Sequence, residues 1–219
     1  GDVSLPNVDE LKVRMGDTFA TQDRAVTKQD YRALIYSMPA KFGAIKRCNI
    51  VQDHDSFKRN MNLYVVSNLR NGQLTAATPT LKENLKIWLN KNRMINDTID
   101  ILDAKIINIR LEFEATANLD FDKFAAINQA IATLRQYFSI KMNIGENIII
   151  TDIYNQLNKL SGISDVDNIE IENVIGSGYS NIAYNIEDFT SADGKIIYCP
   201  NNAIFEVKYL FKDIKGVVK

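Results

Sequence analysis

Ile107-Asn108-Ile109-Arg110-Leu111-Glu112-Phe113-Glu114 alternates without a break between apolar and polar residues. A period of two places Ile107, Ile109, Leu111 and Phe113 on a buried sheet face and Asn108, Arg110, Glu112 and Glu114 on a wet one. The strand is read as a long one, over 98–115. After Ala115-Thr116-Ala117-Asn118 the period changes. Phe121, Phe124, Ile127, Ile131, Leu134 and Phe138 follow at steps of three and four, the stripe of an amphipathic helix over 120–138, with Asp120 as its cap. Burying those six side chains would contribute roughly 1.5–3 kcal/mol each before entropy is subtracted. Strand and helix together form the stretch around which the rest of the chain is organised.

The 219 residues are 46% hydrophobic and 24% charged, with a formal net charge of −1. That is the balance of a folded chain with a real core and not of a disordered one. A near-zero charge with dispersed Lys and Arg argues against nucleic acid as a partner, because phosphate binding needs a clustered positive field. No apolar run approaches the roughly 18 residues of a membrane span, so no membrane partner is expected. No signal peptide is visible at Gly1-Asp2, and the chain is read as a fragment of something longer. Cys48 and Cys199 lack metal-type spacing and read as separate buried thiols in a reducing compartment.

Taken in order, 1–42 is a helical segment. It opens on a capping box at Asn7 and Glu10, and Thr27 starts a second helix with Tyr31, Leu34, Ile35 and Met38 inward and Pro39 as its stop. The range 43–175 reads as an α+β core. Strand 44–51 and Leu63-Tyr64-Val65-Val66 suggest a hairpin, Asn71-Gly72 a turn, and Thr80-Leu81-Lys82-Glu83 a capping box behind Pro79. A later helix is expected with Thr151 as cap, followed by a strand through Val166, Ile169 and Ile171. The range 176–219 reads as loop and β-hairpin, with Asp193-Gly194 at the turn and a terminal strand over 203–211. The fold class is α+β, small mixed or antiparallel sheets with packed helices, and the C-terminal segment is β-rich.

Reaction chemistry is hard to find. His54, the one histidine, stands between Asp53 and Asp55 and has no second histidine to share a transition metal with. Cys199 precedes Pro200, and no partner in the sequence would activate it. Gly176-Ser177-Gly178 is too short for a phosphate cradle and reads as a hinge. The paired carboxylates Glu112 with Glu114 and Asp165 with Asp167 are explained by solvated strand edges. Phe57, Tyr64 and Phe113 raise the question of an RNA-stacking sheet, but Phe113 shares the parity of the aliphatic core. The residues therefore point to a non-enzymatic structural or interaction protein with no catalytic, metal or cofactor-binding residues and no cofactor.

Arg24-Ala25-Val26-Thr27, two free positions, then Asp30-Tyr31 resembles the start of the C-terminal half of the baseplate wedge proteins of contractile-tail phages, related to the baseplate J family. Gly43-Ala44-Ile45 before a strand, Pro79-Thr80-Leu81 opening a helix, strand 106–113, the helix to Tyr137-Phe138 and Gly162-Ile163 are similar to that family in order. So are Asp193-Gly194-Lys195-Ile196-Ile197-Tyr198 and Ile204-Phe205-Glu206, which resemble the end of the T-even type. The resemblance spans roughly 23–211.

It implies a structural virion component without catalytic residues, located in the tail baseplate and assembled in the host cytoplasm. Two copies would pair as a homodimer within each wedge. Neighbouring wedge copies would join through them, beside other baseplate wedge proteins, into a ring around the tail tube that rearranges on sheath contraction. The long N-terminal part of a complete family member is missing here. In the terminal strand, Phe205, Val207, Tyr209 and Phe211 are expected to face inward, leaving Glu206, Lys208 and Leu210 as interface candidates. Two other readings remain open: a ligand- or peptide-binding α+β domain of a cell with 176–185 as a lid, and a hydrolase using His54 or Cys199. Assembly in a reducing cytoplasm predicts no disulfide between Cys48 and Cys199. Thiol titration in denaturant without reductant should find two free thiols, and finding none in a monomeric sample would contradict this.

Overall fold

The computed structural model describes residues 25–53, 60–69, 71–94, 97–139 and 142–219. His54, Asp55, Phe57, Arg24 and the capping box at Asn7 lie outside them. The chain divides into two compact units, Gly1–Ala104 and Lys105–Lys219. The boundary thus falls inside the expected 43–175 core, and the expected 98–115 strand is two strands in two different sheets. The segment 176–219 is no separate piece, since Ile182, Phe205 and Ile214 pack into the second unit's core.

In the first unit, β1 (Arg47–Gln52) pairs antiparallel with β2 (Asn60–Asn68), as the hairpin reading expected. The Asn71-Gly72 turn, with Gly72 at φ 81°, returns the chain as β3 (Leu74–Thr75) on the end of β2. β4 (Thr98–Asp103) lies parallel to β2. The helices α1 (Lys28–Tyr36) and α2 (Pro79–Asn90) bring Tyr31, Ile35, Leu81, Leu85 and Leu89 into one core with Ile50, Leu63 and Val65. α2 is capped two residues earlier than expected. Thr78 accepts from the Leu81 amide at 3.3 Å, Pro79 takes the first helical position, where it loses no hydrogen bond, and Thr80 lies within the first turn.

In the second unit, β5 (Lys105–Ala117) is central. β7 (Ile163–Asn173) runs antiparallel along one side, and β9 (Ala203–Glu206) and β10 (Ile214–Val218) pair parallel with its first and later residues. The short strands β6 (Ile148–Ile149) and β8 (Ile196–Ile197) pair separately. Ile107, Ile109, Leu111 and Phe113 are all buried, as the alternation requires. Gly216 makes the sheet's closest packing possible, because a Cβ there would run into the Phe113 ring.

Two helices, α3 (Lys123–Ser139) and α4 (Ile150–Asn158), belong to the same core through Leu134, Phe138, Ile153 and Leu157. The inward stripe of α3 differs from the expected one. Ala126, Ala130, Leu134 and Phe138 are buried at steps of four, Ile127 and Ile131 are half-buried, Phe121 is partly exposed, and Phe124 is 79% exposed. Small side chains win because the helix comes close: a Cβ on Gly162 would sit 2.8 Å from the Phe121 ring and 3.2 Å from the Ala126 Cβ. The cap is Asp122, not Asp120. Its carboxylate accepts the Ala125 amide at 3.1 Å, where the first turn's free N–H groups point. Ile149 precedes α4 with no side-chain cap, so Thr151 lies inside the helix and not at its start.

The terminal strand also differs. Extended pairing stops at Glu206, all four residues of β9 are buried, and Phe211 is 83% exposed. The chain then loops back through Asp213 to β10. Leu134→Ala should therefore cost about 2–5 kcal/mol through a cavity, and Ala130→Leu about 1–3 kcal/mol through overpacking. Phe124→Ala should stay within about 0.5 kcal/mol. Denaturant unfolding checks this ranking, and a Phe124 loss as large as that of Leu134 would contradict the packing.

Candidate functional site

The described residues of the expected motif, from Ala25 to Tyr31, form a joint in the first unit. Thr27 and Asp30 make a reciprocal cap: the Thr27 hydroxyl accepts from the Asp30 amide at 3.2 Å, and Asp30 Oδ2 accepts the Thr27 and Val26 amides at 2.8 and 3.0 Å. Burial works to raise the Asp30 carboxyl, but those donors outweigh it and hold it below its ordinary value. Ala25 is buried, and its amide donates to the Asn92 carbonyl just past α2. One turn on, the Tyr31 hydroxyl donates to the buried Asp97 carboxylate at 2.7 Å, and Arg93 donates to the Asp97 carbonyl. Burial first and Asp97 second push the Tyr31 phenol well above its ordinary range. The Trp88 indole completes the joint by donating to the Leu34 carbonyl at 2.8 Å. Val26 projects, at 62% exposure. These bonds tie the start of α1 to the chain just past α2.

The second unit holds a polar clasp that the period-two reading did not anticipate. Asn108, on the expected wet face, is 1% exposed, and Glu206, expected at an interface, is 3% exposed. Asn108 Nδ2 donates to Glu206 Oε2 at 3.2 Å, and its Oδ1 accepts the Ser180 amide at 2.7 Å. The fully buried Asp213 accepts from the Tyr179 hydroxyl at 2.6 Å and from the Tyr209 amide at 3.0 Å. Burial, then the bond to Asp213, pushes the Tyr179 phenol up to about 12. Asn173 and the Tyr209 hydroxyl extend the set to Tyr184 and Gly178. Together they strap 176–185 across the sheet, so β9's neighbours enclose Glu206. Lys208 and Leu210 are half-buried, and Leu210 packs on the core. Its carbonyl accepts from Arg135, whose guanidinium lies 4.3 Å from the exposed Phe211 ring.

Beyond the strap the outer sheet face is open and charged. Glu112 and Glu114 on β5 meet Lys215 at 3.5 Å and Lys219 at 2.8 Å, while Glu170 and Glu172 on β7 are exposed. Reaction chemistry is sparse: among the described residues no three His, Cys, Asp or Glu side chains converge on a metal-sized site. Cys48 and Cys199 are free and buried. Burial raises both thiols, Cys199 to about 11, which keeps them protonated and quiet near neutrality. Among the described residues no helix is long and apolar enough to cross a membrane. An open cleft of about 340 Å³ in the first unit lies along β4 and α2, bordered by Lys82, Lys86, Ile99 and Asp100.

No family model and no curated protein matches the chain. Among solved structures its fold is similar to that of a chain in the cryo-EM structure of the anti-feeding prophage (AFP) baseplate, 6-fold symmetrised. The TM-score is 0.57 and the identity 11%, covering 92% of this chain and 41% of that one. At that identity the likeness is one of fold, and this chain spans less than half of its neighbour's length.

The clasp makes a pH prediction. An unfolded tyrosine ionises near pH 10, whereas folded Tyr179 ionises at about 12. Its contribution is complete below pH 10 and is lost as the pH rises toward 12. Tyr179→Phe should lower stability at pH 8 by about 1–3 kcal/mol, since Asp213 loses a buried donor. It should also make the decline between pH 10 and 12 shallower than in the wild type. Equal slopes in denaturant titrations across that window would contradict the assignment.

Proposed function

We propose that this chain is a structural module of a contractile-tail baseplate, which works by assembly and not by catalysis. The observation that carries the reading is the fold likeness to a baseplate chain over 92% of this chain's length. The ordered motif from Ala25 to Tyr31 supports it independently. Those residues tie the start of α1 to the chain just past α2, and a component that transmits position between neighbours needs such a joint. Quiet thiols and a fold held by packing and structural hydrogen bonds suit the same role.

In finer terms, the chain belongs to a baseplate wedge. It pairs with a second copy, meets neighbouring wedge copies and other wedge proteins around the tail tube, and shifts with them when the sheath contracts. Its place is the virion tail, after assembly in the host cytoplasm.

Light scattering across about a hundredfold range of concentration tests the reading. The mass should rise from the 24.8 kDa monomer toward a multiple of it. A mass that stays monomeric throughout, with a thermal shift on adding a small molecule or peptide, would replace the assembly role with a ligand-binding one.

A further inference from the structure

The second unit's sheet ends in two unlike edges. Among the described residues, β10 and β7 are each hydrogen-bonded to β5 on one side only. An unpaired strand edge presents a row of N–H and C=O groups that another strand can complete. The outer face of β10 carries Lys215 and the exposed Val217, and Lys219 follows at the strand's end. β7 carries Glu170 and Glu172, in register with Glu112 and Arg110, with Asp165 and Asp167 farther along, all exposed. Along the row Lys215, Glu112 and Glu170 the charge therefore runs positive, negative, negative, while Glu172 faces Arg110.

The Lys215 and Lys219 side chains remain about 60% exposed although they touch Glu112 and Glu114. Lys219 is held above its ordinary value first by its hydrogen bond to Glu114, then by the charges of Glu114 and Asp167. Each lysine can therefore take a second carboxylate on its open side. On β7, Glu170 lacks that neutralisation, because it stands directly opposite Glu112, an unfavourable like-charge pair, whereas Glu172 stands opposite Arg110.

We propose that β10 of one copy pairs with β7 of the next, so that Lys215 and Lys219 enter the row of β7 carboxylates and the sheet continues from copy to copy. This deepens the assembly role proposed above and rests on it. The directions agree. β10 runs parallel to β5 and β7 antiparallel to it, so the new junction is an antiparallel pair with both outer faces on one side. Charge also excludes the alternatives, since β7 against β7 gathers carboxylates and β10 against β10 gathers lysines. A contact between two different edges is head-to-tail, and it closes into a ring if the rotation per step allows.

Charge exchange in this 219-residue chain tests the pairing. Glu170→Lys relieves the repulsion with Glu112 inside the sheet, so the variant should fold, yet weaken self-association by about tenfold. Lys215→Glu should weaken it likewise, and its thermal transition shows whether the fold survives. Mixing the two variants should restore association, and raising salt from about 0.05 to 0.5 M should weaken it in the wild type. Association unchanged in the β7 variant, or no recovery in the mixture, would overturn the edge pairing and leave the assembly role standing. A wild-type chain that never self-associates would overturn the pairing and count against the assembly role as well.

Discussion

Strand β5 must satisfy neighbours on both edges and both faces at once. β7 takes one edge, β9 and β10 the other, while Ile107, Ile109, Leu111 and Phe113 share a core with the helices. A slip of one residue would send that whole row outward, so the apolar alternation fixes the register of three partners together. Close approach tightens the constraint further. Gly216 leaves room for the Phe113 ring, and Ala126, Ala130 and Gly162 let α3 lie close to the sheet.

The opposite face shows what a polar residue can do inside a fold. Asn108 and Asp213 each lose water and regain hydrogen bonds: Asn108 accepts from Ser180 and donates to Glu206, and Asp213 accepts from Tyr179 and the Tyr209 amide. Buried polar groups so fully bonded hold one geometry well and tolerate substitution badly. The strap over 176–185 therefore needs little regular secondary structure, because side chains from β5, β7 and the 207–213 loop tie it down.

Much of this was legible in the sequence, and the misses have physical causes. Periodicity identified β5, the β1–β2 hairpin and the α1 face, because apolar burial is periodic and local. It misplaced the α3 stripe by favouring large side chains over small ones, and distance to a neighbouring sheet is not written in a helix's own pattern. The caps are Thr78 and Asp122 where Thr80 and Asp120 were expected, each two residues away, since several adjacent residues can serve as caps. Asn108 and Glu206 were read as wet because the strap that covers them comes from more than 65 positions away along the chain from Asn108. Of the candidate site, the Thr27, Asp30 and Tyr31 triplet was visible as a cap and an anchor. Its partners Asp97 and Asn92 were not, since nothing local points to them.

What the fold leaves open at its surface bears on assembly. The core is closed within each unit, whereas the sheet edges of the second unit and the exposed Phe211 and Val26 offer groups to neighbours. Hydrogen–deuterium exchange on the isolated chain and on assembled particles compares these regions directly. In an assembly module, amides of β5 exchange equally slowly in both states, and those of β7 and β10 slow further on assembly. Identical exchange along the whole chain in both states would contradict an assembly role for this fold.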